Sequence, residues 1–308
     1  MKNPLLKITM TEFDLKSYLN RQKKLIDDTL IEYLRRLCPS DHLLEPVTYA
    51  VMAGGKRLRP VLCLAAGNAV AADSRSALAV ACAIEMIHTY SLIHDDLPAL
   101  DDDQLRRGKP TCHVQFNEAT AILSGDALLT MAFETICEAG LSSSVKDARK
   151  WLQVIDIISH ASGCRGMIEG QARDLAFEGI RLTPEALQCL HELKTGALIR
   201  AAVHCGALLA GGSREQIDHL IDYATRIGLA FQVVDDILNI TGDPDLLGKS
   251  VGTDQQRQKN TYPALMGLDQ SRKFAGTLIN SALQALDIFD NKADPLRAIA
   301  RYIIERRR

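Results

Sequence analysis

Apolar side chains recur along nearly the whole chain with the 3.6-residue period of an α-helix, and no stretch alternates apolar and polar residues as a β-strand would. Helices are predicted over residues 15–37, 60–72, 76–95, 117–138, 148–169, 183–209, 213–239, 272–289 and 295–307. The helix over 183–209 has the clearest start, because Thr183 can cap it and Pro184 suits its first position. The sequence therefore predicts an all-α fold.

No Ser/Gly-rich or Pro-rich linker, low-complexity tract or internal repeat divides the 308 residues. A chain of this length is compatible with one large domain, so we predict a single domain over residues 1–308. Three charged or glycine-rich segments interrupt the helical pattern, at 53–60, 101–112 and 242–262. Because binding groups usually lie in such segments, we expect the functional residues there.

The charge and cysteine patterns exclude several classes of protein. A net charge of −2, from 36 basic and 38 acidic side chains, offers no overall attraction for nucleic acid or an anionic membrane surface. The longest clean apolar run, residues 77–84, is far shorter than the roughly 20 residues that span a bilayer, and the N-terminus carries no signal-like segment. The eight cysteines contain no C-x-x-C pair, which is typical of reduced thiols in a chain this long. We expect a cytoplasmic protein that binds no nucleic acid and inserts into no membrane.

Two apolar helical patterns carry adjacent aspartates. Asp95 and Asp96 end one of them, and Asp235 and Asp236 lie within another. Neighbouring carboxylates repel one another, and desolvation on an apolar helix adds to the cost. Mg²⁺ reverses this penalty, because it binds carboxylate and phosphate oxygens together while it keeps some of its water. A solvated surface would explain one such cluster, but two of them indicate a magnesium-dependent site.

The spacing around the first cluster predicts which side chains act together. His88 and Asp95 are seven residues apart and therefore share one helix face. Asp95 and Asp101 would diverge by about 120° on a straight helix. Pro98 lies between them and breaks the helix, which can return Asp101 to the side of Asp95.

Basic residues lie in or near the same segments. Residues 54–60, GGKRLRP, place three cations just before a helix, where backbone N–H groups and the helix dipole favour anions. Residues 105–110, LRRGKP, follow the first aspartates, and Lys249 and Lys259 follow the second. Lys194 precedes Gly196 in a helical pattern, where glycine costs about 1 kcal/mol unless another backbone must approach closely. Acidic pairs and arginines together fit a polyphosphate, and the apolar helices would suit a hydrocarbon tail, so the inferred ligand is a hydrocarbon diphosphate.

Six ordered motifs resemble those of the short-chain trans-prenyl diphosphate synthases, and most closely those of the bacterial farnesyl diphosphate synthases in that family. They read GGKRLRP, SLIHDDLPALDDDQLRRGKPT, GQARDL, KTGALIRAA, FQVVDDILN and LGKSVGTDQQRQKNTYPALMGL. The resemblance implies a homodimer of bundles, each of long, mostly antiparallel helices around a central cavity. It also implies an enzyme that uses about three Mg²⁺ ions to condense isopentenyl diphosphate head to tail with dimethylallyl or geranyl diphosphate.

The resemblance assigns roles to residues that match the family's motifs. The metal ligands would be Asp95, Asp101 and Asp235. The allylic diphosphate would be contacted by Arg106, Lys194, Thr195, Gln232 and Lys249. The isopentenyl diphosphate site would contain Lys56, Arg59, His88 and Arg107. Charge around the developing carbocation would be offset by Lys194, Thr195 and Gln232.

Chain length in this family depends on residues just before the first aspartates. Tyr90 and Ser91 match these positions, and a bulky Tyr90 resembles the enzymes that stop at C15, whereas C20 synthases tend to carry a smaller side chain there. A plain core aromatic is the alternative role for Tyr90. Asn239 stands where the second motif normally ends in aspartate, and its neutral amide would weaken binding of the third metal.

Several alternatives remain at this point. A geranylgeranyl diphosphate synthase would differ in product length. A non-catalytic diphosphate-binding subunit would lack metal ligands or Lys194, all of which are present. A terpene cyclase would not need a second diphosphate site, which GGKRLRP with His88 and Arg107 would supply here. A phosphohydrolase would not need the long apolar cavity. The basic tail over 302–308 is either a solvated helix end or a segment that folds over the substrate site.

Overall fold

The computed structural model describes residues 13–71, 76–241 and 260–306, and nearly all of their regular structure is helical. The helices are α1 (Leu15–Leu37), α2 (Asp41–Val51), α3 (Leu58–Val70), α4 (Ser76–Asp95), α5 (Cys112–Gln115), α6 (Glu118–Leu141), α7 (Ala148–Ser162), α8 (Met167–Ala176), α9 (Pro184–His191), α10 (Ala197–Leu209), α11 (Arg214–Thr241), α12 (Tyr262–Met266), α13 (Leu268–Ala285) and α14 (Asp294–Glu305). A π-helical turn, Glu192–Gly196, joins α9 to α10, and short 3₁₀ turns cover Val145–Asp147 and Asn291–Ala293. The predicted all-α fold is confirmed.

Helices α4 and α10 form the centre of the bundle. Side chains on all sides of α4 are buried, and the helix packs against α3, α6 and α10. Helix α10 packs in addition against α7 and α11. Gly206 of α10 lies so close to the backbone of Cys63 in α3 that any side chain there would overlap it, so small residues let these helices approach. One main hydrophobic core runs through the described residues, and the single-domain organisation stays a prediction.

The helical period predicted several elements closely. α1 and α4 have the predicted bounds, and α11 differs from its prediction by one or two residues. α9 begins at Pro184, and the Thr183 side chain accepts a hydrogen bond from the Ala186 N–H at 3.3 Å, as the sequence suggested.

Other predicted bounds were wrong. The helix predicted over 148–169 is two helices, α7 and α8, because the chain turns at Gly163 and Gly166. Gly166 lies against the Ala161 carbonyl, where any side chain would overlap it. α2 was not predicted, and Pro46 inside it obscures the helical signal. α13 begins four residues earlier than predicted, directly after Gly267, which has a positive φ of 82°.

A short β-hairpin with two residues in each strand is an exception to the expected absence of strands. β1 (Leu105–Arg106) pairs antiparallel with β2 (Lys109–Pro110). Arg107 and Gly108 form the turn with φ values of 55° and 76°, as a two-residue hairpin loop requires. The hairpin lies within residues 101–112, a segment predicted to interrupt the helical pattern but not to form strands.

Two described helices, α4 and α6, are long and apolar enough to cross a membrane by length and composition alone. In α4, 72% of the apolar window is buried inside the protein, as expected of a core helix, whereas in α6 the buried share is 44%. Helix α6 therefore keeps an exposed apolar face.

Candidate active site

The first aspartate pair lies where α4 ends. Asp95 is the last residue of α4, and the chain then turns so that the Asp101 N–H donates to the Asp95 carbonyl oxygen at 2.8 Å. The Asp102 N–H donates to the Leu97 carbonyl at 3.1 Å, and Asp102 has a left-handed backbone with φ 49°. The turn around Pro98 thus brings Asp101 back beside Asp95.

The environment of Asp95 is unfavourable to a lone negative charge. Burial raises the pKa of Asp95 to about 6, an effect that the charge of Lys194 opposes and the charge of Asp101 reinforces. Asp95 also lies at the C-terminal end of α4, where the helix dipole disfavours an anion. A divalent cation beside Asp95 would offset the unfavourable effects of burial and of the helix dipole on its negative charge. The interaction with Lys194 also shows that the end of α4 lies near the π-helical turn.

Asp96, the second aspartate of the pair, is only 3% exposed and binds an arginine. Arg106 Nε donates to Asp96 Oδ1 at 2.8 Å and Oδ2 at 2.7 Å, and Nη2 also donates to Oδ1. Arg106 Nη2 lies 3.6 Å from Asp103 as well. Among the residues that the structure describes, none accepts a hydrogen bond from Arg106 Nη1. Asp96 therefore fixes the arginine predicted for the allylic diphosphate and leaves one of its nitrogens for a ligand.

The hairpin joins two of the basic segments. Arg107, in its turn, donates through Nη1 to the Gly54 carbonyl oxygen. The Arg107 guanidinium also packs on Gly55, where any side chain would overlap it. The glycine pair in GGKRLRP thus makes room for an arginine from residues 105–110.

One arginine of GGKRLRP is structural. Arg57 is almost fully buried, and its Nε donates to Asp27 at 2.7 Å. Its Nη1 donates to Glu85 at 2.8 Å and its Nη2 to the Val51 carbonyl at 2.6 Å. Arg57 therefore ties α1, α2 and α4 to the start of α3, and its charge is already matched by two carboxylates.

Arg59 and His88 meet on the neighbouring side of this loop. Arg59 Nη1 donates to His88 Nε2 at 3.3 Å, and because arginine cannot accept, the imidazole proton lies on Nδ1. Burial, followed by the charges of Arg59 and Arg107, holds the pKa of His88 well below its usual range, so the ring is neutral. Arg59 Nε is buried with no hydrogen-bond partner among the described residues, and Arg59 also senses the charge of Asp235. An unsatisfied guanidinium N–H at this position suits an anionic ligand.

The π-helical turn orients Lys194 and Thr195. Lys194 Nζ donates to Asp174 Oδ2 at 2.6 Å, and Thr195 Oγ1 donates to Gln232 Oε1 at 2.5 Å. Gly170, the first residue of GQARDL, touches the Lys194 backbone so closely that a side chain there would overlap it. The GQARDL motif therefore supplies both a close contact and a carboxylate that hold Lys194 in place.

The second aspartate pair lies inside α11. Asp235 has a side chain that is 42% exposed, and Arg306 Nη2 donates to its Oδ1 at 2.5 Å. Arg306 also donates to the Phe231 carbonyl at 2.9 Å, and its guanidinium lies 3.9 Å from the centre of the Phe231 ring. Asp236 is 7% exposed and accepts a hydrogen bond from the Tyr262 N–H at 2.9 Å. The two members of this pair have different partners, as in the first pair.

The C-terminal segment packs beside the candidate site. In addition to the contact between Arg306 and Asp235, the Tyr302 ring lies under Lys56 Nζ, 5.3 Å from the ring centre. The described part of the tail is therefore not simply a solvated helix end.

Tyr90 and Ser91 lie one turn or more before Asp95 on α4. Tyr90 is buried, its hydroxyl has no hydrogen-bond partner among the described residues, and its ring meets His94 edge-on at 5.8 Å. Burial, with the nearby charge of Asp95, raises the pKa of Tyr90 to about 12. Ser91 Oγ donates to the His88 carbonyl at 2.9 Å. Both side chains lie close to the first aspartates, as their proposed role requires.

The structure brings most of the predicted site residues into one region. Charges or hydrogen bonds join Asp95 to Asp101 and Lys194, Arg59 to His88 and Asp235, and Thr195 to Gln232. Lys249 and Lys259 lie outside the described residues. No individual role was predicted for Asp174, Arg306 or Asp236, although GQARDL and the second aspartate pair both stand out as motifs in the sequence.

The carboxylates fit Mg²⁺ rather than a metal held entirely by protein. Among the described residues, no three His, Cys, Asp or Glu side chains converge closely enough to chelate an ion. Mg²⁺ is usually held by one or two carboxylates, several waters and substrate phosphates, so it needs no complete protein cage. Burial and the charge of Asp101 raise the pKa of Asp95, so a cation bound beside it would stabilise its charged form. Asn239 lies one turn after Asp235 on α11, where it supplies an amide in place of a further carboxylate.

Comparison with known proteins identifies the family. The sequence model of the family described as polyprenyl synthetase matches residues 40–294. The chain is 45% identical to a geranylgeranyl diphosphate synthase of Cyanophora paradoxa, over 98% of this chain and 99% of that protein. It is 51% identical to a farnesyl diphosphate synthase of Escherichia coli, over 86% of this chain and 89% of that protein. The crystal structure of an FPP/GFPP synthase from Zymomonas mobilis has a TM-score of 0.82 and 38% identity, and covers 96% of this chain and 100% of that one. The chain therefore belongs to the polyprenyl synthetase family and is a short-chain prenyltransferase.

Proposed function

We propose that the chain is a Mg²⁺-dependent farnesyl diphosphate synthase of the cytoplasm, which joins isopentenyl diphosphate head to tail with dimethylallyl and then geranyl diphosphate. The observation that carries the proposal is the position of Asp95, a buried carboxylate at a helix C-terminus beside Asp101 and opposite Lys194. Its charge is costly until a polyvalent cation and a diphosphate balance the site, so its placement favours ligand binding over stability.

The proposed metal ligands are Asp95, Asp101 and Asp235, which would hold about three Mg²⁺ ions together with the allylic diphosphate. When bound, Mg²⁺ would stabilise the negative charge that develops on the departing diphosphate. The proposed protein donors to the same diphosphate are Arg106, through Nη1, Lys194 and Lys249. Asp96 and Asp174 support this arrangement, since they hold the Arg106 and Lys194 side chains.

The second diphosphate, that of isopentenyl diphosphate, is proposed to bind Lys56, Arg59, His88 and Arg107. The buried Arg59 Nε without a protein acceptor supports this assignment. His88 is neutral and its Nε2 already accepts from Arg59, so it orients the arginine and adds no second positive charge.

The carbon chemistry is proposed to follow ionisation of the allylic diphosphate. The Thr195 hydroxyl and the Gln232 amide share one hydrogen bond next to Lys194, and their oxygen dipoles would offset positive charge on the allylic carbons. The double bond of isopentenyl diphosphate then attacks the allylic carbon and forms the new C–C bond. Loss of a proton to the departing diphosphate restores a double bond and completes the condensation.

Incubation with labelled isopentenyl diphosphate and each allylic primer, with Mg²⁺ or with EDTA, tests the proposal. A C15 product should form with Mg²⁺ from both the C5 and the C10 primer, and no product should form in EDTA. Absence of condensation with either primer and Mg²⁺ would overturn the proposal, and a product that accumulates at C20 would indicate a geranylgeranyl diphosphate synthase instead.

The relatives include synthases of both the C15 and the C20 product. Product length is proposed to depend on Tyr90 and Ser91, because both lie on α4 just before Asp95. Tyr90→Ala removes a buried ring next to the first aspartates and is expected to shift the product to C20 or longer. Phe116→Ala removes an aromatic ring at the C-terminal end of α5 that packs edge-on against Tyr49 of α2, and should leave the product at C15. An unchanged product in Tyr90→Ala would show that this ring is only part of the core.

We propose that the enzyme is a homodimer that pairs through the exposed face of α6. Ile122 and Leu123 lie on this face, and Leu123 is 56% exposed. Only 44% of the apolar window of α6 is buried, so its exposed apolar face suits a partner, and a second copy of this chain offers the same surface. Leu123→Glu should shift the mass measured by light scattering from dimer to monomer, whereas Val145→Glu, also at an exposed apolar residue, should not. A wild-type protein that is monomeric at all concentrations would contradict the dimer.

A further inference from the structure

Asp236 contacts three elements of the candidate site. Its carboxylate is buried, whereas the side chain of Asp235 is 42% exposed. The two residues are adjacent on α11 and therefore project about 100° apart around the helix. Asp236 Oδ2 accepts a hydrogen bond from the Tyr262 N–H at 2.9 Å and lies 3.8 Å from His191 Nε2. All of these groups are buried or nearly so, so the contacts are made away from water.

The first of these elements is the segment Asn260–Tyr262. The Asn260 side chain accepts from the Leu182 N–H at 2.9 Å and donates to the Ile180 carbonyl at 2.8 Å. Tyr262 is almost completely buried, and its ring stacks on His191 at 5.8 Å. Asn260 and Asp236 thus hold the two ends of this short segment. It is the first described segment after residues 242–259, which include Lys249.

The second element is the π-helical turn. His191 is the last residue of α9 and directly precedes the turn that carries Lys194 and Thr195. The His191 ring stacks on Tyr262, and its buried Nε2, which has no hydrogen-bond partner among the described residues, lies 3.8 Å from the Asp236 carboxylate, so the start of the turn packs against both residues. The third element is α11 itself, which presents Gln232 to Thr195.

We propose that Asp236 is a positioning residue that holds the Asn260–Tyr262 segment and, through His191, the π-helical turn against α11. The importance of this anchor for catalysis rests on the function proposed above. Asp236 brings together the elements that carry Gln232 and Lys194, and it binds protein groups rather than metal. In the second motif, Asp235 would therefore bind metal, and Asp236 would hold the surrounding protein elements in place.

Amide hydrogen exchange in the metal-free and substrate-free protein tests the anchor without any assumption about activity. Asp236→Ala removes the acceptor, and exchange at Tyr262 should become about ten- to a hundred-fold faster, with a smaller increase over 192–196. Asp236→Asn keeps a side-chain oxygen for the Tyr262 N–H, so its exchange should stay within about threefold of the wild type. The matched control, Asp235→Asn, should leave exchange at Tyr262 unchanged.

Asn260→Ala is a second route if Asp236→Ala does not fold. It should release Tyr262 from the other side, and raise its exchange, without an effect on residues 192–196. Wild-type exchange at Tyr262 in Asp236→Ala would overturn the proposal. Exchange in Asp236→Asn that equals that of Asp236→Ala would overturn the role of the hydrogen bond as well.

Steady-state kinetics then separates positioning from metal binding. Asp236→Ala should raise KM for the allylic diphosphate at least tenfold and leave the Mg²⁺ concentration for half-maximal rate unchanged, and Asp236→Asn should largely restore KM. Asp235→Asn should raise that Mg²⁺ concentration instead. A shift in Mg²⁺ requirement for Asp236→Asn as large as that for Asp235→Asn would identify Asp236 as a metal ligand and overturn the proposal. Should the wild type show no prenyl transfer at all, the exchange experiment still decides whether the anchor exists.

Discussion

The two aspartate pairs look alike in sequence, but their partners differ. In each pair the first aspartate lies in the candidate site and the second is almost completely buried, 3% exposed for Asp96 and 7% for Asp236. Asp96 neutralises the Arg106 guanidinium, whereas Asp236 accepts from a backbone N–H. Asp235 and Asp236 are adjacent within α11 and project about 100° apart, whereas Asp96 follows the last residue of α4, so the two carboxylates of each pair reach different partners. An aspartate doublet on a buried helix therefore indicates one candidate metal ligand and one scaffold residue.

The most direct way to break this comparison is to neutralise the first member of each pair. Asp95→Asn and Asp235→Asn should each lower kcat/KM by a factor on the order of 10² to 10³, because each removes charge that would hold Mg²⁺ and the departing diphosphate. Both should also raise the Mg²⁺ concentration for half-maximal rate in a steady-state assay. Asp236→Asn, which retains its acceptor oxygen, should lose less than tenfold. Equal losses at Asp235 and Asp236 would contradict the division of roles.

The second members should differ from each other in stability. Asp96→Asn leaves the largely buried Arg106 guanidinium with only the more distant Asp103 as countercharge, and should lower the free energy of unfolding by about 3 kcal/mol. Asp236→Asn keeps a neutral hydrogen bond to the Tyr262 N–H, and should lower it by about 1 kcal/mol or less. Urea unfolding in EDTA measures both values. Losses of equal size would mean that Asp96 and Asp236 are not held by different kinds of partner.

The sequence predicted the helices better than the roles of their residues. Periodicity located α1 and α4 to the residue, since long amphipathic or wholly apolar patterns depend only on local sequence. It missed α2, where Pro46 conflicts with local propensity and burial in the fold compensates. It also joined α7 to α8, because the steric reason for the break at Gly166, contact with the Ala161 carbonyl, exists only in the folded chain.

In the candidate site, too, the sequence indicated the features that depend on local pattern but not the contacts that depend on the folded chain. Residue types and spacing identified both aspartate pairs and the basic loops, because like charges on apolar helices need a ligand. Which aspartate of a pair faces that ligand depends on distant partners: Tyr262 is 26 residues from Asp236, and Arg306 is 71 residues from Asp235. No local pattern encodes such contacts. The same holds for Asp174, whose pairing with Lys194 depends on the packing of α8 against the π-helical turn.

The pH dependence of the free energy of unfolding tests whether Asp95, in the first pair, is destabilising when it is charged. The pKa of Asp95 is about 6 in the folded protein and near 3.9 in an unfolded chain. The folded state thus binds more protons between these values, so metal-free stability should fall by about 2 kcal/mol as pH rises from 4 to 6, and this contribution should then level off. Urea midpoints in EDTA at each pH measure the change, and Asp95→Asn should remove this part of it.

Asp269→Asn is the control for that experiment, because its side chain is 90% exposed and it lies on α13. It should keep the pH dependence of the wild type. A dependence that survives in Asp95→Asn would show that another group is responsible and that Asp95 carries no charge penalty before metal binds.

The smallest expected effect concerns the countercharge of the second pair. Arg306 neutralises Asp235 in the metal-free protein, and this contact must be given up before Mg²⁺ can bind the same oxygen. Because Asp235 is partly exposed, the pair contributes on the order of 0.5–1 kcal/mol, so Arg306→Gln should strengthen Mg²⁺ binding by about two- to fivefold. Titration calorimetry with Mg²⁺ and inorganic diphosphate measures this, and Arg301→Gln, at an exposed residue of the same helix, should bind as the wild type does. Weaker binding in Arg306→Gln would mean that the arginine holds the diphosphate rather than competing with the metal, and the two aspartate pairs would then differ less than their metal-free contacts indicate.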